Sequence, residues 1–364
     1  MSTPAELERG RSRIGLPIEE LPTPALVVDL NRVRRNVALA SDRARGRVAL
    51  RPHAKTHKAA ELARVQVEHG AVGVTTATVL EAEAMARGGI ESVLIANEVV
   101  GAGKAEAAAE LAGITRLTVA VDDLRNARDL AAAAIAAGTR IGFLVDVDVG
   151  IGRCGVRSAD AAAMLAEEAG SLDGLVFEGV MGFEGHCVHE PDPIERRCKA
   201  EAAMVPLIGA VNRIRAAGMT VNTVSAGGTG TLEFTGAIEE VTELQIGSYV
   251  FMDTAYARIV PEFEVALTVL ATVISRHGDA IVLDCGTKAV SAEHAAPELE
   301  GHQAMLRYLA EEHAVYDVSR ECTLDLGDRV FVRTGHCCAT TNLHGLHHVV
   351  VDGVVAELWP IARR

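Results

Sequence analysis

The chain has 364 residues and is 49% apolar but only 3% aromatic, so the core of one large domain and a smaller companion must be built mainly from Ala, Val and Leu. A formal charge of −14 argues against a nucleic-acid or anionic-membrane partner, and no apolar stretch approaches the length of a membrane span. Met1 to Gly10 is polar without the apolar core of a signal peptide, and the seven cysteines are irregularly spaced, so a reducing cytoplasm is the expected location.

In chain order, residues 25–30 form a strand-like run that either joins a β domain or caps a barrel. From about residue 46 to 250, short β-branched runs alternate with Ala-rich runs at helical spacing. Strands are expected at 48–50, 73–76, 92–96, 117–121, 141–147, 177–181, 221–225 and 242–246, and helices at 79–87, 104–111, 124–136, 159–169 and 193–217. Eight strands in this alternation predict an α/β fold of the (β/α)8 TIM-type barrel class; a doubly wound open sheet is the alternative. Beyond about residue 262, strand-like runs at 265–275, 280–284, 329–333 and 348–351 predict a C-terminal β domain. The last run meets 354–359 through Asp352-Gly353, a hairpin signal. The expected division is a barrel at 31–255 and a β domain made of 1–30 plus 256–364.

The most informative stretch is Arg51-Pro52-His53-Ala54-Lys55-Thr56-His57-Lys58. If strand one continues through it, Arg51, His53 and Lys55 share a face. A lysine among other cations loses its proton more readily, and a neutral amine is what Schiff-base chemistry with a pyridoxal aldehyde requires. Taken alone, the octapeptide reads equally well as a basic surface turn. Two glycine-bearing loops shift that balance: Ser225-Ala226-Gly227-Gly228-Thr229-Gly230-Thr231 after strand seven, and Gly247-Ser248-Tyr249 after strand eight. These are the places where barrels bind phosphate, and glycines let backbone N–H groups approach an anion. After strand five, Asp146 and Asp148 share a face, and Arg153 lies in a glycine-flanked loop from which it could reach a cofactor or simply be solvated. After strand six, His186 and His189 are candidate bases or metal ligands. If the 329–333 strand continues, His336 and Cys338 share a face and Cys337 points away. An imidazole and a thiolate suit zinc, yet two ligands cannot close a site, and spacing alone favours a buried His and Cys without metal. His344, His347 and His348 read as strand-edge or surface histidines rather than competing ligands.

Together, Arg51–Lys58, Asn97-Glu98-Val99-Val100-Gly101, Gly152–Val156, Gly227–Thr231, Glu243–Asp253, Glu312-His313 and His336–His344 resemble the D-threonine aldolase and D-serine dehydratase group of fold-type III pyridoxal-phosphate enzymes. The resemblance runs from Thr23 to Trp359, with alanine racemase a more distant relative in fold. It implies a pyridoxal 5'-phosphate barrel, a C-terminal β domain carrying a metal motif, and a homodimer with active sites near the subunit interface. By position, Lys55 looks like the lysine that links to the cofactor. Gly228, Thr229, Gly247, Ser248 and Tyr249 look like its phosphate cup, and Arg153 like a residue near its ring. His336 and Cys338 look like the metal ligands, and His189 like the base for the substrate hydroxyl. Two positions depart from the aldolase pattern. Cys338 stands where aldolases commonly carry a carboxylate and use manganese or magnesium, and it is similar to the zinc-dependent dehydratases. Phe183 stands where aldolases often carry tyrosine.

The resemblance therefore implies a lyase of D-3-hydroxy amino acids. The aldolase reading, with His189 as base and products glycine and an aldehyde, is favoured by the barrel loops. The alternative is a zinc-dependent dehydratase in which Lys55 removes the α-proton and the products are ammonia and a 2-oxo acid. A racemase is a third reading. A non-catalytic pyridoxal-phosphate carrier is a fourth, disfavoured by the long β domain with His336 and Cys338.

Overall fold

The computed structural model describes residues 12–363; Met1 to Gly10, and with it the extreme ends of the expected β-domain range, lies outside the described residues. The chain divides into two compact units. One contains Ala40–Lys55 and Ala60–Gly247; the other contains the segment up to Leu39, Thr56–Ala59 and the segment from Ser248 onward.

In chain order come β1 (Ala25–Asp29), α1 (Leu30–Ala44), β2 (Ala49–Leu50), α2 (Ala60–Glu68), β3 (Val74–Thr76), α3 (Val79–Arg87), β4 (Ser92–Glu98), α4 (Ala102–Leu111) and β5 (Arg116–Val121). They are followed by α5 (Leu124–Ala137), β6 (Ile141–Asp146), α6 (Ala159–Gly170), β7 (Leu175–Met181), α7 (Pro193–Ala216), β8 (Thr223–Ala226), the single turn α8 (Leu232–Thr235) and β9 (Glu243–Leu244). All eight expected barrel strands are present, and the alternation is that of the predicted barrel. Strands β2 to β9 pair in parallel in the order β2-β9-β8-β7-β6-β5-β4-β3. The ends of that order meet where His53 bridges Thr75 and where Val72 and Thr75 N–H groups donate to the Leu50 and Pro52 carbonyls. A doubly wound sheet has open edges, so this order selects the barrel. Leu94, Ala120, Leu144 and Met181, from four neighbouring strands, form a buried apolar cluster.

Local chemistry explains the helices. Ser158 accepts from Ala161 N–H at the start of α6 (3.1 Å), and Asp192 accepts from Ile194 and Glu195 N–H at the start of α7 (2.8 and 3.0 Å), where Pro193 opens the first turn.

The second unit is a mixed sheet of β1 with β10 (Leu267–His277), β11 (Ala280–Leu283), β12 (Glu298–Leu299), β13 (Ala304–Leu309), β14 (Ala314–Val318), β15 (Arg329–Arg333), β16 (Leu346–Val351) and β17 (Val354–Pro360). A short helix, α9 (Cys337–Leu343), stands between β15 and β16. The N-terminal strand joins this sheet, antiparallel to β10 (Ala25 opposite Leu270) and parallel to β16 (Val27 opposite His348). Asp352 and Gly353 turn the β16–β17 hairpin with φ of 49° and 83°, the two positive values that such a turn requires.

Leu144 is 1% exposed within its cluster. Leu144→Ala is expected to cost about 2–5 kcal/mol through lost burial and a residual cavity, read as a lower denaturation midpoint.

Candidate active site

The pairing of β2 with β9 outruns the strand itself: Arg51 and His53 N–H groups donate to the Leu244 and Ile246 carbonyls, both at 2.9 Å. The chain then turns into a short 3₁₀ segment, Ala54–Thr56, so Lys55 leaves the strand alternation expected to align it with Arg51 and His53. Arg51 is also not an uncompensated cation. Its Nε donates to both carboxylate oxygens of Glu243 at 2.9 Å, and its guanidinium donates to Ser92 Oγ. What the turn achieves is placement. Lys55 Nζ lies 5.6 Å from the centre of the Phe183 ring, and Arg153 Cζ lies 5.8 Å from the same centre.

Arg153 is carried by a loop folded back on the end of β6. Val156 N–H donates to the Asp146 carbonyl and Asp148 N–H to the Val156 carbonyl. Gly155 makes this return possible: its φ is 99°, and a Cβ there would lie 2.5 Å from Asp148 N. Beneath the loop, one donor atom each from Glu98, Asp122 and Cys154 falls within 4.8 Å of the others. Burial first, then the Glu98 charge and hydrogen bond, raise the Asp146 carboxyl far above the ordinary range, and Arg153 opposes this only in part. Burial and Glu98 likewise push the Cys154 thiol up to about 11.

The loop after β8 is held by a residue the sequence reading passed over. Glu184 has no exposed surface. Its carboxylate accepts from Thr231 Oγ1 (2.7 Å), Thr235 Oγ1 (2.6 Å) and Gly227 N–H (3.2 Å). Thr231 Oγ1 in turn accepts from Gly228 N–H. Close packing dictates the glycines as well, since a Cβ on Gly230 would lie 2.0 Å from the Val188 carbonyl oxygen. Buried Thr229 begins a 3₁₀ turn on this loop. His189 is half-buried in the loop after β7, and His186 is exposed. Gly247 ends the barrel unit. An amine and a guanidinium about one ring, with a buried hydroxyl-bearing turn after β8, fit an aldehyde-bearing anionic cofactor.

Ser248 and Tyr249, both buried, belong to the other unit, with His336 and Cys338. There the expected strand continuation is replaced by helix. Gly335 passes so close to residues 291–295 that a Cβ would lie 2.0 Å from the Ala295 carbonyl oxygen, and His336 caps α9. Asp253, with no exposed surface, accepts from Cys337 N–H (3.0 Å) and Tyr256 N–H (2.9 Å) and lies 3.2 Å from His336 Nδ1. Because the backbone is helical, Cys337 does not point away. Donor atoms of His336, Cys337 and Cys338 all lie within 4.8 Å of one another. Cys337 is fully buried, whereas Cys338 is half-buried, with Thr56 Oγ1 at 3.3 Å and Ser248 Oγ at 3.9 Å. Burial opposes a charge on His336, but Asp253 and Cys338 outweigh it and raise the imidazole to about 10. Nitrogen and sulfur donors gathered this closely fit a divalent metal.

His347 and His348 are neither surface nor ligand residues. Both are buried in β16, where His347 Nε2 contacts the His57 carbonyl (2.8 Å) and His348 Nδ1 the Leu26 carbonyl (3.0 Å). Burial lowers them to about 3 and about 4, so they are neutral parts of the sheet. His344 Nε2 bonds the Ala289 carbonyl at 2.7 Å. None of the seven cysteines forms a disulfide among the described residues.

Residues 28–255 match the alanine racemase N-terminal domain family, and residues 266–350 match a serine dehydratase domain. The chain is 36% identical to the 3-hydroxy-D-aspartate aldolase of Paracoccus denitrificans (strain Pd 1222), across 96% of this chain and 94% of that protein. The crystal structure of D-threonine aldolase from Filomicrobium marinum superposes with a TM-score of 0.93 at 38% identity, covering 96% and 98% of the two chains. A cysteine-to-alanine mutant of D-threo-3-hydroxyaspartate dehydratase, in its metal-free form, superposes at 0.84 with 26% identity over 95% and 99%. No helix among the described residues is long and apolar enough to cross a membrane.

Glu184→Ala leaves two buried hydroxyls and an amide without their acceptor, and is expected to cost about 3 kcal/mol or more by chemical denaturation. Asp146 provides a pH test. Its carboxyl is raised in the folded chain, so its contribution is complete below the ordinary carboxylate pKa and is lost as pH climbs toward the raised value. Over that interval the unfolding midpoint of the unaltered protein is expected to fall, and that of Asp146→Asn to fall less.

Proposed function

We propose that this chain, which belongs to the alanine racemase-like family of D-3-hydroxy amino acid lyases, cleaves the Cα–Cβ bond of a D-3-hydroxy amino acid to give glycine and an aldehyde. The family depends on pyridoxal phosphate and includes metal-dependent enzymes. The observation that carries the reading is the convergence of Lys55 Nζ and Arg153 Cζ on the Phe183 ring, in a chain similar to aldolases along nearly its whole length.

Lys55 would be the covalent attachment point of the cofactor, and Arg153 would stand beside its ring. Gly228, Thr229, Gly247, Ser248 and Tyr249 would hold its phosphate. When bound, the cofactor supplies an electron sink for negative charge at Cα. His336 and Cys338 would hold a divalent metal, which supplies Lewis-acid assistance at the β-oxygen. His189 accepts the proton of the β-hydroxyl, the proton transfer that retro-aldol cleavage requires. Glu184 keeps the glycine loop in place, and the folded-back loop carrying Arg153 keeps the guanidinium against Phe183. On this reading residues 31–255 are the cofactor-holding body, and residues 1–30 plus 256–364 carry the metal motif. The protein works as a homodimer in the cytoplasm. A second reading, the zinc-dependent dehydratase, is favoured by one residue: a thiol at Cys338 where aldolases commonly carry a carboxylate.

The deciding assay incubates metal-loaded enzyme with a panel of D-3-hydroxy amino acids and identifies the carbonyl product. Glycine plus an aldehyde is expected; a 2-oxo acid with ammonia would establish the dehydratase instead. Lys55→Ala should abolish the visible absorbance of bound cofactor, and its persistence would remove Lys55 from the attachment role. Chelation should abolish turnover and leave the colour.

A further inference from the structure

We infer that a cavity in the β unit, walled by Arg13, His344 and His348, binds a small organic carboxylate that carries no ammonium group. The cavity has a volume of about 310 Å³, enough for a small organic acid. Arg13 and the two imidazoles supply its polar wall, and Pro24, Leu26 and Leu346 its apolar wall. These residues all belong to one compact unit. Among the described residues, none proposed to hold cofactor or metal lines this cavity.

The segment that carries Arg13 is fixed to the sheet. Gly15 N–H donates to the Val355 carbonyl (2.8 Å), Val355 N–H donates to the Leu16 carbonyl (3.0 Å), and Leu16 N–H closes a turn onto the Arg13 carbonyl (3.1 Å). The side chain is aimed in turn by a histidine. A guanidinium nitrogen of Arg13 donates to His348 Nε2 at 2.7 Å, so that nitrogen holds the lone pair, and the ring proton sits on Nδ1, which donates to the Leu26 carbonyl at 3.0 Å. This imidazole orients the guanidinium without neutralising it. Burial, and then the charge of Arg13, hold His348 down at about 4, and burial with the charge of Arg363 lowers His344 as well. No carboxylate is among the charges acting on either ring. Among the described residues, no carboxylate pairs with Arg13. In a chain of net charge −14, the cavity is therefore a place of uncompensated positive charge. The guanidinium is a planar fork of N–H donors that fits a carboxylate, and His348 takes only one of them. With no acid in its walls, the cavity has no partner for an ammonium group, which the guanidinium would repel. An amino acid is excluded on that ground, and the apolar wall favours a ligand with a hydrocarbon body over an inorganic anion.

The test uses the full chain loaded with pyridoxal phosphate and a matched pair of probes, 3,3-dimethylbutyrate and its isostere trimethylglycine. The second replaces a carbon with a cationic nitrogen and has no amine to condense with an aldehyde. Calorimetric titration is expected to show saturable binding of 3,3-dimethylbutyrate, with trimethylglycine and inorganic phosphate each weaker by at least about tenfold. Arg13→Ala should weaken binding of 3,3-dimethylbutyrate by at least about tenfold, the loss of one charge-assisted contact. Arg13→Lys, which keeps the charge without the fork, should weaken it less. An unfolding midpoint of Arg13→Lys equal to that of the unaltered protein separates its weaker binding from a loss of folding. Absence of binding to the unaltered protein, or binding unchanged in both Arg13 variants, overturns the inference. Loss of binding in Arg153→Ala but not in Arg13→Ala would place the carboxylate at the proposed cofactor site and overturn it equally. Tighter binding of phosphate, or equal binding of trimethylglycine, would overturn the assigned class of ligand.

Discussion

A carboxylate without solvent is stable only when donors surround it, and a loop that supplies those donors loses its freedom to move. Glu184 imposes this condition on the barrel. It has no exposed surface, and its donors come from the loop after β8: the Gly227 N–H and the hydroxyls of Thr231 and Thr235. The loop that begins with Phe183 is thereby tied to the loop that bears Gly228 and Thr229. The same neighbourhood includes Val188, whose carbonyl oxygen leaves no room for a side chain at 230. Residues proposed to bind the cofactor are thus positioned by one that need not touch it.

The β unit repeats the device with Asp253. One oxygen accepts from the Tyr256 amide; the other accepts from the Cys337 amide and faces His336. The amide of Cys337 is one of the unpaired donors at the start of α9, so the buried carboxylate both caps that helix and orients the imidazole just before it. A helix start and the imidazole proposed to hold a metal are set by a single side chain.

The barrel was legible because its signals are local. Strands of β-branched residues and Ala-rich helices recur along the chain, and the candidate site residues at strand ends follow from that alternation: Lys55 after β2, Arg153 after β6, Gly228 and Thr229 after β8. Other features depend on distant partners. His348 is buried because β16 lies beside β1, more than 300 residues away, and nothing within the His347-His348 pair announces that neighbour. β13 and β14 escaped notice because their alternation is short and interrupted, with a register shift between Leu306 and Tyr308. Glu184 did carry a signal, an acidic residue inside a glycine-flanked apolar loop, but the histidines beside it drew the functional reading. Asp253 sits in a stretch matched by resemblance, yet its role depends on an amide 84 positions later.

Proximity of donors does not by itself define a metal site, and the two donor clusters show why. Glu98, Asp122 and Cys154 lie as near one another as His336, Cys337 and Cys338 do. At the barrel cluster, burial and then Glu98 raise the Cys154 thiol and the neighbouring Asp146 carboxyl, and the Arg153 guanidinium opposes both shifts. In the β unit the balance runs the other way. Burial disfavours a charged imidazole, yet Asp253 and Cys338 still raise His336 to about 10. A divalent cation would match the nitrogen and sulfur donors of that cluster. Donor chemistry, more than distance, is what supports the proposal that the β-unit cluster is the place for a metal.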